Sequence, residues 1–310
     1  MNYCKYFVPV MLFIAALPPL DARDLSGSIE YQGNKRTFLI HLPPRRDAGT
    51  KFPLVIALHG GGGSGRKMKR FSRFDAIADR EGFIVVYPDG IGRQWNDGRK
   101  IAESRAHSEN IDDVGFLTGL AGYMVRVRGA DPKRVYFAGI SNGALMSFRL
   151  ACEKPEKIAA IAAVAGNLPE HLAAVKPRGP VPVIIINGTE DPLIPWGGGP
   201  VRIPFMPGRE RGSVISAPRT AAYWARANGC PADTAAEELP DRDTGDGCRV
   251  IRHAYAGCGG ADLILYEVKG GGHTWPGGPQ YLPVRIIGRT CRDLDASETI
   301  WEFFKRHEKK

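Results

Sequence analysis

After its first twenty residues the sequence lacks any apolar run long enough to cross a bilayer, which argues against a membrane span in the mature chain. It has six cysteines but no Cys-x-x-Cys pair, and their irregular spacing is not typical of a zinc site. The glycine run at 60–63 is not followed by the Lys-Ser or Lys-Thr of a phosphate-binding loop. We therefore expect no metal and no organic cofactor.

The composition is that of an ordinary globular protein, with 43% hydrophobic and 24% charged residues. The formal net charge is +9, but the basic residues are scattered and form only short clusters, such as 66–70. No nucleic-acid recognition motif accompanies them, so nucleic acid is not an expected partner. The excess positive charge is interpreted mainly as a source of solubility.

The first 22 residues resemble a secretory signal peptide. Lys5 provides the basic start, residues 6–17 form an apolar segment, and Leu20-Asp21-Ala22 offers an imperfect cleavage site. We therefore predict a signal peptide over 1–22 and a single catalytic domain over 23–310. The mature chain is expected to be secreted to the extracellular space or the periplasm, without a membrane span.

The cysteines fit an exported protein. Cys152 lies in a predicted helix and is expected to be a buried free thiol, whereas four others lie in the last third of the chain. Four cysteines allow three pairings, and the sequence does not choose among them. Our working hypothesis pairs Cys230 with Cys258 and Cys248 with Cys291.

Strand and helix patterns alternate along most of the chain. Apolar runs predict strands near 54–58, 83–87, 134–138, 160–164, 182–187 and 262–268. Helices are predicted near 66–81, 112–128, 143–153, 217–228 and 294–308. This order indicates an α/β fold with a mostly parallel sheet covered by helices on both faces. Residues 26–42 alternate around Gly33-Asn34, which predicts an N-terminal β-hairpin.

A G-x-S-x-G motif places Ser141 between a predicted strand and a predicted helix. This context is that of a nucleophile elbow, in which a sharp turn exposes a serine hydroxyl at the end of a sheet. Gly139 and Gly143 are needed because a side chain at either position would collide with a neighbouring strand or helix. A glycine-rich turn in which Ser141 only caps the helix is the alternative.

A nucleophile of this kind requires an acid and a histidine later in the chain, in that order. Asp191 follows the apolar run at 181–186 and precedes Pro192, which fixes a tight turn; Glu190 is the second choice. His273 follows the last apolar strand and is flanked by glycines. A histidine there can take the serine proton, while the acid fixes the imidazole tautomer.

The oxyanion formed by such an attack needs hydrogen-bond donors placed in advance. One candidate is the backbone N–H of Asn142, directly after the nucleophile. The other is in the run His59-Gly60-Gly61-Gly62, for which Gly61 is the first choice and Gly62 the second.

Two tryptophans are candidates for an aromatic substrate-binding surface. Trp95 lies on a polar loop beyond a strand, where core packing is an equal alternative, and Trp275 lies two residues from His273. The segments 195–218 and 277–288 leave from the acid and histidine loops, and we expect both to wall the substrate cleft.

Taken together, these motifs resemble those of the polyhydroxybutyrate depolymerase and feruloyl esterase family of α/β-hydrolases over roughly residues 25–308. They are Leu58-His59-Gly60-Gly61, Tyr87-Pro88-Asp89-Gly90, Trp95-Asn96, Asp112-Asp113-Val114-Gly115-Phe116, Gly139-Ile140-Ser141-Asn142-Gly143, Asp191-Pro192 and Gly272-His273-Thr274-Trp275-Pro276-Gly277. The resemblance implies a secreted serine esterase with Ser141, Asp191 and His273 as its triad. Some members carry a cysteine where Gly61 stands, which points to a different subgroup.

The resemblance does not define the ester. The sequence shows no Ser/Thr-rich linker and no extra domain for insoluble polymer, so soluble polyester oligomers and feruloyl or acetyl esters on polysaccharide both remain open. A serine peptidase is an alternative, because the same triad cleaves amides. A non-catalytic protein that binds the cell envelope or carbohydrate on a hydrolase scaffold is the other alternative.

Overall fold

The computed structural model describes residues 24–44, 49–203, 211–231 and 234–309. The predicted signal peptide lies outside the described residues. Most of the strands join one ten-stranded sheet in the order β1-β2-β4-β3-β5-β6-β7-β12-β11-β10. Strands β8 and β9 form a separate small sheet. The strands are β1 Asp24–Tyr31, β2 Asn34–His41, β3 Phe52–Leu58, β4 Ile84–Pro88, β5 Ala130–Ile140, β6 Ala160–Val164, β7 Val183–Gly188, β8 Gly199–Pro200, β9 Ser213–Val214, β10 Thr234–Glu238, β11 Arg249–Tyr255 and β12 Leu263–Lys269.

The centre of the large sheet is parallel. Strands β4, β3, β5, β6, β7 and β12 pair in parallel with their neighbours. The antiparallel pairs lie at the two sides, where β1 and β2 extend one edge and β11 and β10 extend the other. Because the central strands are parallel, the loops that follow them all leave from one edge of the sheet, and that edge carries the candidate site.

Helices cover both faces of this sheet, as predicted. They are α1 Gly65–Ser72, α2 Phe74–Glu81, α3 Arg105–Ser108, α4 Asp113–Arg128, α5 Asn142–Glu153, α6 Glu170–Ala173, α7 Ala217–Ala227, α8 Val284–Ile287 and α9 Ala296–Phe304. Leu54, Ile56 and Leu58 of β3 pack in one core with α4, α5 and α7. Val55 and Ala57 pack in the other core with α1, α2 and α9. The alternation follows from the two-residue repeat of a strand, and burial on both faces explains the continuous apolar runs.

Two local predictions differ in detail from the structure. The N-terminal hairpin is present, but its turn is Gln32-Gly33, and both residues have positive φ angles of 47° and 74°. The helix predicted over 66–81 is two helices, because Arg73 between them adopts a left-handed conformation with φ of 55°. Its backbone N–H donates to the carbonyl of Lys69 and so ends α1.

The antiparallel strands β10 and β11 were not predicted from the sequence. Strand β10 is mostly exposed and β11 is only half-buried, so neither carries the alternation that marks a strand with one buried face. Near them the structure forms the disulfide between Cys230 and Cys258, as in our working hypothesis.

The second half of that hypothesis is wrong in this structure, where Cys248 and Cys291 are buried free thiols. Their sulfurs nevertheless lie within 4.8 Å of each other, close to a carboxylate oxygen of Asp246. Cys152 is also a buried free thiol, as expected. None of the helices in the described ranges combines the length and apolarity that crossing a bilayer requires.

Candidate active site

Ser141 lies at the turn between β5 and α5, with φ of 56° and ψ of −124°. A non-glycine residue with positive φ is strained, and the close packing around the turn holds it there. A Cβ atom on Gly139 would overlap the backbone of Gly143, and a Cβ atom on Gly143 would overlap the carbonyl of Leu58 in β3. The collisions expected from the sequence are therefore present, and the half-buried Ser141 begins the helix at the carboxyl edge of the sheet.

Asp191 and His273 lie together at the same edge. Asp191 follows β7 and His273 follows β12, and these two strands are direct neighbours. Nδ1 of His273 is 2.7 Å from Oδ2 of Asp191, and both side chains are buried. Because the carboxylate accepts the Nδ1 proton, Nε2 of His273 is left as the basic nitrogen.

The Asp191 carboxylate is fixed by its own turn. Its Oδ1 accepts hydrogen bonds of 2.8 Å from the backbone N–H groups of Leu193 and Ile194, while Oδ2 faces His273. The neighbouring Glu190, the second choice from the sequence, is exposed. The structure thus places Asp191, and not Glu190, in contact with the histidine.

The glycine run after β3 is held by His59. Its Nε2 accepts the N–H of Gly90 at 3.0 Å, so the proton is on Nδ1, which donates to the carbonyl of Gly60 at 2.8 Å. Burial lowers the pKa of His59, although the Gly60 carbonyl opposes that change. His59 is therefore a neutral side chain that fixes the shape of the loop at neutral pH.

The backbone donors of this loop are not equivalent. The N–H of Gly62 donates to the carbonyl of Arg93 at 2.8 Å, and that of Gly63 donates to Gly60 at 2.9 Å. Within the described part of the chain, the N–H groups of Gly61 and Asn142 have no acceptor. The geometry favours Gly61 over Gly62 as a donor to a substrate, in agreement with the order of preference from the sequence.

Trp95 does not form part of an aromatic binding surface, contrary to one of the two alternatives from the sequence. Its indole is fully buried, with 0% exposure, and its Nε1 donates to the carbonyl of His59 at 2.9 Å. The Trp95 backbone N–H donates to Oδ1 of Asn142 at 2.7 Å. Trp95 is therefore a core residue beneath the candidate site. Burial of its large apolar ring is more favourable than leaving the ring exposed to a ligand.

Trp275 is a second correction. Its side chain is 1% exposed, and Nε1 donates to Oγ of Ser297 at 3.0 Å. The ring packs edge-on against Phe71 and Phe74. Trp275 therefore anchors the histidine loop in the core. No face of its indole is open to a substrate.

Sequence reasoning missed Asp97, which holds the side chain of Asn142, one of the two candidate oxyanion donors. The carboxylate is fully buried and accepts from Nδ2 of Asn142 at 2.6 Å. Arg99 donates to the same carboxylate from Nε at 3.0 Å and from Nη2 at 2.8 Å. The weak signal for Asp97 was its place in a tight turn before Gly98, which is a common and unspecific position for aspartate.

The segment after His273 reaches back to the histidine, and its role as a wall of the substrate cleft stays a prediction. Tyr281 donates from its hydroxyl to the His273 carbonyl at 3.0 Å while its side chain remains 41% exposed. Leu282 and Val284 are exposed next to it. Of these three side chains, Tyr281 is the one that contacts the loop of the candidate base. The other predicted wall, 195–218, includes residues 204–210, which lie outside the described ranges.

Comparisons with known proteins identify relatives of this chain. A family model described as "Esterase PHB depolymerase" matches residues 36–176. The putative esterase NocK of Nocardia uniformis subsp. tsuyamanensis is 33% identical over 291 residues, which cover 92% of this chain and 84% of that protein. Feruloyl esterase B of Piromyces equi is 28% identical over 247 residues, which cover 77% of this chain but only 42% of that protein.

The fold has a counterpart among solved structures. The acetyl xylan esterase from Aspergillus awamori superposes with a TM-score of 0.58 and 16% identity, covering 91% of this chain and 99% of that chain. The fold and the relatives define a carboxylic ester hydrolase with an α/β-hydrolase fold. More narrowly, the chain belongs to the family of polyhydroxybutyrate depolymerase-type esterases. Neither the peptidase alternative nor the non-catalytic alternative is favoured.

Proposed function

We propose that Ser141, His273 and Asp191 are the catalytic triad of this esterase. The main observation in support is the buried 2.7 Å hydrogen bond between His273 and Asp191. It lies at the same edge of the sheet as the strained turn of Ser141. Nε2 of His273 takes the proton of the Ser141 hydroxyl as Oγ attacks the ester carbonyl. The same proton then passes to the leaving alcohol, and an acyl-enzyme remains until water hydrolyses it.

The tetrahedral oxyanion is bound by the backbone N–H groups of Gly61 and Asn142. Two observations support this assignment: both groups lack an acceptor among the described residues, and Asn142 begins helix α5. The helix N-terminus adds a favourable dipole at the point where negative charge develops. Removing one such donor typically costs about 3 kcal/mol in the transition state.

The proposed substrates are soluble esters of two classes, feruloyl or acetyl esters on polysaccharide and 3-hydroxybutyrate oligomers. The relative named as a feruloyl esterase supports the first class, and the family model supports the second. The partly exposed ring of Tyr281, whose hydroxyl contacts the His273 carbonyl, suits an apolar acyl group. We further propose export of a mature chain over 23–310, supported by the apolar leader over 1–22 and by the Cys230–Cys258 disulfide.

The test is hydrolysis of p-nitrophenyl acetate, p-nitrophenyl butyrate, methyl ferulate and 3-hydroxybutyrate oligomers. Ser141→Ala is expected to lower kcat by about 10⁴-fold or more. The matched control is Ser147→Ala in the same helix, because that hydroxyl only donates to the carbonyl of Gly143. The preferred ester identifies the substrate class. Equal activity of Ser141→Ala and the wild type would refute the nucleophile.

The acid is tested separately. Asp191→Asn is expected to lower kcat by about 10⁴-fold because it removes the charge that stabilises the His273 imidazolium. Glu190→Gln makes the same chemical change on an exposed neighbour and should leave kcat near that of the wild type. If Glu190→Gln is the more damaging change, the assignment of the acid is wrong.

A further inference from the structure

A cavity of about 400 Å³ lies between helices α5 and α6 and the loop that carries Asn96. The proposed triad residues do not line it. The chemistry proposed above therefore does not account for this cavity.

The lining carries several positive charges. Lys100, Arg149, Lys176 and Arg178 all contribute to it, and Glu153 is its one carboxylate. Glu153 is already paired with Arg149 at 2.7 Å. Among the described residues, the other three cations form no ion pair. The cavity thus has a net positive charge that the protein itself does not neutralise.

His107 adds a second, independent observation. Its side chain is only 1% exposed, and neither ring nitrogen forms a hydrogen bond of good geometry among the described residues. The Asp97 carboxylate and the Trp95 carbonyl lie near the ring and oppose the lowering of its pKa by burial. The nearest carboxylate oxygen, Oδ1 of Asp97, is 3.7 Å from Nε2, which is beyond hydrogen-bond distance. Buried polar groups in native proteins are nearly always hydrogen-bonded, so an imidazole at a cavity wall that its own neighbours satisfy poorly is a candidate donor to a ligand.

The turn at Gly98 brings another imidazole to the same cavity. A Cβ atom on Gly98 would overlap the ring of His171, so the absence of a side chain makes room for that ring. Gly98 also has φ of 90°, which favours glycine. Two imidazoles and four cations thus share one opening. Leu172 and Val175 add apolar surface to its lining.

We propose that this cavity binds a small anionic ligand, with a carboxylate or phosphate group on a partly apolar body. The lysines and arginines neutralise its charge, His107 donates a hydrogen bond to it, and Leu172 and Val175 contact its apolar part. Arginine and lysine together bind both kinds of oxyanion, so the shared chemistry is the anionic group. This proposal rests on the residues that line the cavity and does not depend on the proposed triad.

The test is calorimetric titration at low ionic strength with benzoate, phenyl phosphate and benzamide. Benzamide has the shape of benzoate without its charge, so it serves as the neutral control. We expect at least one anion to bind more than tenfold more tightly than benzamide, and the tighter anion identifies the oxyanion group. Equal binding of benzamide and both anions, or no binding of either anion, would overturn the proposal.

Variants of the cavity test where the anion binds. The double variant Lys176→Ala/Arg178→Ala should weaken anion binding about tenfold, since two exposed charges are removed. The matched control, Arg66→Ala/Lys67→Ala, removes two exposed charges from α1 on the other face of the sheet and should leave binding unchanged. His107→Phe should also weaken binding, which covers the case in which the double variant fails to fold.

Two results would contradict this location. Equal weakening by the α1 control would mean that the anion responds to the net charge of the whole protein. Binding that survives both cavity variants would place the anion elsewhere, for example at the proposed active site. Titrating Ser141→Ala as well separates the two proposals, because this binding requires no esterase activity.

Discussion

Replacing Asp97 with asparagine should destabilise the protein severely. The carboxylate is fully buried and is the only described charge partner of Arg99, whose side chain is 5% exposed. Burial alone would raise the pKa of Asp97, but the charge and hydrogen bonds of Arg99 lower it below its ordinary value. The ionised form therefore stabilises the fold at any pH above about 4, and this contribution is lost as the pH falls through the lowered pKa.

The magnitude follows from what the substitution leaves behind. Asparagine keeps the size of the side chain, but the buried guanidinium of Arg99 loses its counter-charge, at a cost of about 3–5 kcal/mol. For a chain of this size that corresponds to a fall in Tm of roughly 5–8 °C. The Asn142 amide also loses a charged acceptor, so kcat on p-nitrophenyl acetate should fall together with stability.

The assay is thermal and urea unfolding at pH 7.5, with Asp131→Asn as the matched control. Asp131 pairs with Arg134 at 2.8 Å, but both side chains are partly exposed, so the same change should cost less than about 1 kcal/mol. Adding Arg99→Leu to Asp97→Asn should restore part of the lost stability, because it removes the unpaired charge. Equal losses for Asp97→Asn and Asp131→Asn would refute the reasoning.

Two further predictions concern the disulfide and the histidines. Reduction of the Cys230–Cys258 disulfide, which joins residues 28 positions apart, should lower the free energy of unfolding by about 3–4 kcal/mol. Urea unfolding with and without dithiothreitol measures this loss. A variant with alanine at both positions should not respond to the reductant. Burial lowers the pKa values of His59, His107 and His171. Their neutral forms therefore favour the folded state fully above about pH 6.5, and acidification below that pH should reduce stability. Urea unfolding at pH 7.5 and 5.5 should show a smaller loss in His59→Gln than in the wild type, and an equal or larger loss in that variant would contradict this assignment.

Much of the fold could be predicted because its central strands are buried on both faces. The runs near 54–58 and 182–187 became β3 and β7 with shifts of only one or two residues. A strand such as β10, whose residues are mostly exposed, has no comparable pattern. Its place at the edge of the sheet is set by pairing with β11 and not by its own composition.

The proposed triad could be predicted because the order of its members along the chain is itself a signal. The tryptophans could not, because distance along the sequence from His273 does not tell which way Trp275 points. Asp97 was missed for a related reason. Asp97 matters to the site because it contacts Asn142 and Arg99. Arg99 is only two positions away, but Asn142 is 45 positions away in the sequence, so that contact is visible only in the folded chain.

The pairing of β7 with β12 also bears on how the protein becomes active during synthesis. Asp191 and His273 are 82 positions apart and approach each other only when β12 has docked against β7. A nascent chain that still lacks the segment after β7 therefore has the Ser141 elbow but not the proposed base, His273. Contacts between distant segments form slowly because a long loop must close first. Regain of esterase activity during refolding should thus report the docking of β12, later than signals from the β3–β5 region.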